Sequence, residues 1–368
     1  MEVNGKFLIF GKFMIFYSII YLYNLQLEIY INNKLNLLYN ITMSNEFNIT
    51  SGFNSLESVH KMKEAGATEL YGGFLPKELN KKWPIAFNIL NRRGEDANFS
   101  DWTEFEKAVN LARKYNLPVF ATFNGLYIEK QYKTILNLID KVSSLKGVKG
   151  IIVNDIALLL LLKEKKYKKE IAISTGGTTF NADTVQFYKS LGAKRIILDR
   201  QLSVEDIVKI IKADDSLDYE IFGFGGSCFF IDGFCSFFHC SENLNYQDKI
   251  IKTYNTKQFD TGCILVLSNI INGKKYYKQK YNLNGNKFIN NFYHSCNLCN
   301  LYDLKEFKNI SLKIVNRKNT TQSFVAVVKL ACDKLKEKIS KKQYINCCKK
   351  ILKENNIFEC KQTQCYYK

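Results

Sequence analysis

The sequence predicts an α/β fold, a (β/α)8 TIM-like barrel, on three observations. Short runs rich in β-branched and aromatic residues recur eight times from Phe47 onward. Segments of helical period lie between them, and polar residues stand at the ends of several runs, at Asn124, Asp155, Thr175 and Arg200. Strands alternating with helices at this spacing build parallel βαβ units, and eight such units close into a barrel whose chemistry lies beyond the strand carboxyl ends. A doubly wound open sheet is the structural competitor, because it too places ligands at that edge.

Taken in order, the strand runs are Phe47–Ser51, Glu69–Gly73, Val119–Asn124, Gly150–Asp155, Ile171–Thr175, Arg195–Arg200, Glu220–Gly225 and Ser311–Asn316. Helical segments fall at Ser55–Ala65, Asp101–Tyr115, Lys130–Leu145, Thr184–Ser190 and Ser203–Ile211, with Thr320–Lys338 as the closing helix. Ser55, Ser100, Asn181 and Ser203 stand where an N-cap is wanted, since their side-chain oxygens can accept from the first free backbone N–H groups. The last βα unit is interrupted. Roughly 85 residues separate the seventh and eighth runs, far more than a connection needs, and cysteines run through them from Cys228 to Cys299.

Hydrophobic content of 46% with 24% charged residues marks a globular chain and excludes a disordered one. There are only three prolines and no Pro/Ser-rich linker to divide it. The formal charge of +18 invites nucleic acid as a partner. The competing reading is compositional, because Phe, Ile, Lys, Asn and Tyr all have A/T-rich codons and Lys then becomes the default surface residue. The excess is uneven: from Leu301 to the end sixteen Lys and Arg face six Asp and Glu. Residues 7–23 are apolar but broken by Lys12 and lack a small-residue cleavage site. Met43-Ser44-Asn45-Glu46 reads as an ordinary start. The expected division is therefore residues 1–42 as an extension from an over-long gene start, 43–338 as the barrel with an insertion at 227–310, and 339–368 as a basic, Cys-rich tail. A chain starting at Met43 is expected to be cytoplasmic, with no membrane association.

All eleven cysteines lie in the last two-fifths of the chain, which suits one metal or redox site better than a disulfide framework. Cys228 and Cys235 stand seven apart after a Gly-rich turn, Cys263 follows, and Cys296-Asn-Leu-Cys299 returns just ahead of the eighth strand. Thiolates at such spacing suit an iron–sulfur cluster or zinc. Cys347, Cys348, Cys360 and Cys365 either ligate a metal or are inert. At the strand ends Ser174, Thr175, Asn124, Asp155 and Arg200 are candidates for holding substrate, Arg200 as a clamp for a carboxylate or phosphate, with Arg92-Arg93-Gly94 near the same face.

The stretch Glu220, Phe222, Gly225, Cys228, Gly233, Cys235 and Ser236 resembles the signature of the peptidase U32 (collagenase-like protease) family. Further resemblances follow in chain order: Gly66-Ala67-Thr68-Glu69-Leu70-Tyr71-Gly72-Gly73, Ser174-Thr175 with Asn181, Leu198-Asp199-Arg200-Gln201-Leu202-Ser203, and Leu312-Lys313-Ile314-Val315-Asn316-Arg317. The chain departs from the pattern at Gln201, where the family has Glu, at Asn316, where it has Gly, and at Gly176-Gly177, which replace Gln. The resemblance implies the barrel fold and two kinds of activity. Some relatives are collagenase-like peptidases. Others support oxygen-independent hydroxylation of RNA bases or of an aromatic quinone precursor, and some of these hold a [4Fe–4S] cluster on four cysteines. By that resemblance the cluster ligands here are Cys228, Cys235, Cys263 and Cys299, with Cys296 as the alternate, and Ser174, Thr175, Arg200 and Glu220 are the catalytic candidates.

Peptidase chemistry has few residues to rest on. The histidines are His60, His239 and His294, no His-Glu-x-x-His or Gly-x-Ser-x-Gly motif occurs, and a Cys235–His239 pair would take its nucleophile from the thiolate set itself. The expectation is a cluster-bearing protein acting on RNA or an aromatic small molecule. Its alternatives are a collagenase-like peptidase and a non-catalytic, metal-holding subunit paired with itself or another protein of the family.

Overall fold

The computed structural model describes residues 47–82, 97–226, 228, 231–234, 295–315, 321–357, 360 and 365–367. Chain order begins β1 (Asn48–Gly52), α1 (Leu56–Ala65), β2 (Glu69–Phe74), α2 (Lys77–Lys82), β3 (Asn98–Phe99), α3 (Trp102–Lys114), β4 (Val119–Phe123) and α4 (Glu129–Ser143). It continues with β5 (Val148–Val153), α5 (Ile156–Glu164), β6 (Glu170–Ile173), α6 (Ala182–Ser190), β7 (Arg195–Ile197), α7 (Val204–Ala213) and β8 (Asp218–Gly225). The last elements are β9 (Ser295–Cys296), α8 (Leu301–Leu304), β10 (Ile310–Ile314), α9 (Thr321–Leu335) and α10 (Lys341–Glu354).

Eight strands pair in parallel as β1-β2-β4-β5-β6-β7-β8-β10, and β10 returns to β1 with Asn48 opposite Ser311, so the sheet closes. The expected (β/α)8 barrel is what forms, and the open-sheet alternative falls. All eight expected runs are its strands. Among the described residues two short strands lie outside the barrel circuit: β3 runs parallel beside the end of β2, and β9 runs antiparallel to the end of β8.

The helices start where capping side chains allow. Ser55, Asn181 and Ser203 accept from the N–H three residues on. The cap of α3 is Asp101 rather than the expected Ser100; its carboxylate accepts from Glu104 N at 2.9 Å and faces the positive end of the helix.

Side chains alternate between two environments along each strand. Leu70, Val119, Ala121, Ile151, Val153, Ile171, Ile173 and Ile196 join the main core beneath the helices, whereas Tyr71, Phe120, Ile152, Ala172 and Ile197 form a separate apolar cluster on the opposite face, inside the barrel. Each fully buried aliphatic or aromatic side chain of this kind contributes about 1.5–3 kcal/mol.

At the amino-terminal end of that interior sits an ion network. Arg195, 1% exposed, reaches Glu69 through two bonds of 2.7 and 3.0 Å and Glu220 at 3.3 Å, and Lys313 also pairs with Glu220. The Arg195 guanidinium lies 4.4 Å from the Phe120 ring centre, and the Lys313 ammonium 3.9 Å from that of Tyr71.

The contact of β7 with β8 ends with Leu198 N donating to Glu220 O at 2.9 Å, and other chain segments occupy the seam beyond it. β9 pairs Phe224 with Cys296, and Asn297 N donates to Gly223 O at 2.9 Å. The chain end then adds to β9: the backbone of Cys365 pairs in parallel with that of Cys296, both thiols being free, and Tyr366 N donates to Cys296 O at 3.1 Å. Phe222 N donates to the Tyr367 hydroxyl at 2.8 Å, and the Tyr366 hydroxyl donates to Gly226 O at 2.8 Å. Residues 339–368, expected as a tail, thus include a 14-residue helix, and their Tyr344, Cys348, Leu352, Tyr366 and Tyr367 side chains are buried in the barrel's own core.

Candidate functional site

Two residues beyond Ile152, Ala172 and Ile197, and four beyond Phe120, the same alternation brings Asn154, Ser174, Asp199 and Asn124 to the barrel mouth. Asn124 Nδ2 donates to Ser174 Oγ at 3.1 Å, and Ser174 Oγ accepts from Gly176 N at 3.4 Å as the chain turns through Thr175–Gly177. Gly176 is required there: a Cβ would fall 2.6 Å from the Asn154 side chain. Three oxygens of this set, Asn124 Oδ1, Asn154 Oδ1 and Asp199 Oδ2, are buried without a hydrogen-bond partner. Burial raises the pKa of the Asp199 carboxyl even though Gln201 N donates to it at 3.1 Å.

Arg200 stands beside this set, on the turn after β7. Burial opposes its charge, but Asp232 at 2.8 Å more than restores it and holds the guanidinium protonated. Its plane covers the Phe222 ring at 4.2 Å. Gly225 takes a φ of +134°, where a Cβ would also strike Val315 at 2.6 Å, and this turn carries β8 toward Cys228. Gln201 Nε2 donates to Cys228 O at 2.9 Å. A Glu at 201, ionised, could not make that bond, so the departure from the family pattern fixes the backbone beneath Cys228. The turn Asp232–Phe234 lies against the Thr175–Gly177 turn: a Cβ on Gly233 would lie 2.6 Å from Gly176 O.

Cys296 reaches the same end of the barrel through β9, and the chain then runs back along β8 to the turn that carries Cys299. The Cys348 thiol hydrogen-bonds Cys299 and, with the positive charge of Lys349, brings the Cys299 thiol down to about 7, while Cys348 keeps its proton. Burial pushes the Cys296 thiol up.

Ser174, Thr175, Arg200, Cys228 and Cys296 are therefore brought to the ends of β6, β7 and β8, and Cys299 follows on the turn after β9. Glu220 is not. It is the third residue of the eight in β8 and belongs to the interior ion network, well short of the mouth. Asp155 is spent as the cap of α5, accepting from Leu158 N, Tyr127 N and the Tyr132 hydroxyl. Cys235, His239, Cys263 and Arg92-Arg93-Gly94 lie outside the described residues. Among the described residues no three His, Cys, Asp or Glu side chains are set to hold a metal ion, and no helix is long and apolar enough to cross a membrane. The sequence reading missed Asn154, Asp199 and Asp232. The first two are the alternate-position neighbours of Asp155 and Arg200, and counting by twos from the strand would have found them.

A model of the peptidase family U32 matches residues 54–368. The chain belongs to this family. Among curated relatives it is similar to tRNA hydroxylation protein P of Helicobacter pylori (strain ATCC 700392 / 26695), 30% identical over 191 residues covering 52% of this chain and 42% of that protein. It is also similar to the protein of the same name from Haemophilus influenzae, 28% identical over 181 residues, 49% of this chain and 36% of that one. The chain thus spans about two-fifths of the length of the curated U32 relatives it matches. A solved structure, the U32 peptidase Mk0906, superposes with a TM-score of 0.38 at 16% identity over 50% of this chain and 71% of that one, a likeness from which nothing further follows.

Proposed function

We propose that this U32 protein takes part in hydroxylating tRNA, with an iron–sulfur cluster on cysteine thiolates at the barrel mouth and the substrate held beside it. The observation that carries this reading is the meeting of two residue sets at one end of the barrel. Cys228 follows β8, and Cys296 pairs with Phe224 near the end of that strand, with Cys299 three residues further on. Arg200, Ser174 and the partnerless oxygens of Asn124, Asn154 and Asp199 lie beside them. The family match and the curated relatives named for tRNA hydroxylation support it.

The donors suit the group in kind: soft sulfur ligands next to a fixed positive charge at Arg200. Cys228 and Cys299 would hold the cluster together with Cys235 and Cys263, Cys296 being the alternate to Cys299. When bound, such a cluster supplies one-electron redox chemistry. Arg200, locked by Asp232, orients an anionic or carbonyl-bearing substrate, and Asn124, Asn154 and Asp199 offer lone pairs to its N–H or O–H groups.

Protein purified without oxygen should be brown, with matching iron and sulfide, and Cys228→Ser should bleach it. Deleting the gene should remove a hydroxylated nucleoside from host tRNA, read by mass spectrometry. Restoring Arg200→Ala should not bring the nucleoside back, although the variant keeps its spectrum. Unchanged tRNA nucleosides together with gelatin cleavage by the pure protein would replace this reading with a peptidase.

A further inference from the structure

The basic excess is concentrated in one segment of the chain. Residues 301–368 carry sixteen Lys and Arg against six Asp and Glu, whereas the preceding 300 carry thirty-seven against twenty-nine. A uniform compositional bias would not produce that difference.

Helix α10 shows where the charge goes. Tyr344, Cys348, Ile351 and Leu352 face the core. At 100° per residue the opposite face carries Lys342, Asn346, Lys349 and Lys353, spaced i, i+4, i+7 and i+11, with Lys350 on the flank, and all of these are exposed. Neighbouring lysines are neutralised: Lys341 by Asp303, Lys334 by Glu337, Lys336 by Asp333 and Lys350 by Glu354. Among the described residues Lys342, Lys349 and Lys353 pair with no carboxylate. At 1.5 Å per residue these three ammonium groups spread over roughly 16 Å of helix, a length matching several successive phosphates of a nucleic-acid strand.

The stripe is also fixed relative to the site. The Tyr344 hydroxyl donates to Leu298 O at 3.0 Å, inside the Cys296–Cys299 turn, and Cys348 hydrogen-bonds Cys299. A strand lying along α10 therefore passes close to the Cys296–Cys299 turn.

We propose that the outward face of α10, through Lys342, Lys349 and Lys353, is the docking surface for the phosphate backbone of the RNA substrate. This rests on the RNA reading above and adds to it the surface that binds. No acidic protein is required: ammonium groups in line along one face of a rigid helix suit a polyanionic strand.

The test is filter binding of bulk tRNA by the full chain across a salt series. Lys342→Glu/Lys349→Glu/Lys353→Glu is compared with Lys107→Glu/Lys114→Glu/Lys212→Glu, which makes the same change in net charge at exposed barrel positions. The α10 variant should bind at least about tenfold more weakly, and its log Kd–log salt slope should fall by roughly 2–3, one phosphate contact per lysine. The barrel variant should keep both. Equal losses in the two variants would overturn the proposal, because only net charge would then matter. Unchanged binding by the α10 variant would overturn it as well, as would no tRNA binding by the wild type, or retention of an acidic protein in place of tRNA. If tRNA nucleosides still depend on the gene in those cases, the functional reading stands without this surface.

Discussion

Arg195 is the side chain on which the barrel interior most depends. Its guanidinium is shared between Glu69 and Glu220, with Lys313 on the far side of Glu220. Arg195→Met fits the space but leaves two buried carboxylates short of a partner, and it should cost about 3–5 kcal/mol in a urea unfolding curve. Burial works to raise the Glu69 pKa, but hydrogen bonds and charge from Arg195 outweigh it and hold the carboxyl below its ordinary 4.5. A carboxylate depressed in the folded state stabilises above its unfolded pKa, and that stability is lost as pH falls through the folded value. Wild-type stability should therefore drop below about pH 4.5, and Glu69→Gln should show a shallower acid limb while being less stable at pH 7. The same network explains why Glu220 was misplaced from sequence. Its spot in the family signature marks it as important, yet nothing in the motif says whether it acts at the mouth or in the interior. Arg195, Glu69 and Lys313, which decide the matter, are scattered over some 240 residues.

Among the elements, the strands were legible and the chain end was not. Each barrel strand is buried on both faces, so it reads as an apolar, β-branched run bounded by polar residues. Helix α10 was passed over as a Lys/Cys-rich tail, although Ser340 and Gln343 form a capping box that the sequence displays as Ser-x-x-Gln. No local pattern could reveal that β9 and residues 365–367 fill the seam between β7 and β8, since that pairing joins segments about 70 and 140 residues apart. Tyr367→Phe leaves the buried Phe222 N–H without an acceptor and should cost about 1–3 kcal/mol. Removing residues 358–368 should cost more, because it strips both tyrosine hydroxyl bonds and their burial. A truncated chain with an unchanged urea midpoint would show that the seam closes without them.

At the scale of the whole molecule, closure makes the barrel one cooperative unit. Each of the eight barrel strands has two neighbours in the circuit, and the first and last meet at Asn48–Ser311, Ile49–Leu312 and Thr50–Lys313. Such pairing across most of the chain links loss of either edge to loss of all eight strands, so unfolding should be a single transition. The circuit and its core begin at Phe47, and residues 1–46 divide from 47–368 as a separate unit. A chain shortened to start at Met43 keeps β1 and the β1–β10 closure intact. It should unfold in the same transition, with the urea midpoint and slope of the full chain, and take up the same iron and sulfide. The alternative is that the apolar segment 7–23 contributes to the stability of the fold. Its removal would then lower the midpoint and expose apolar surface to a hydrophobic dye, and that result would place residues 1–42 within the cooperative unit.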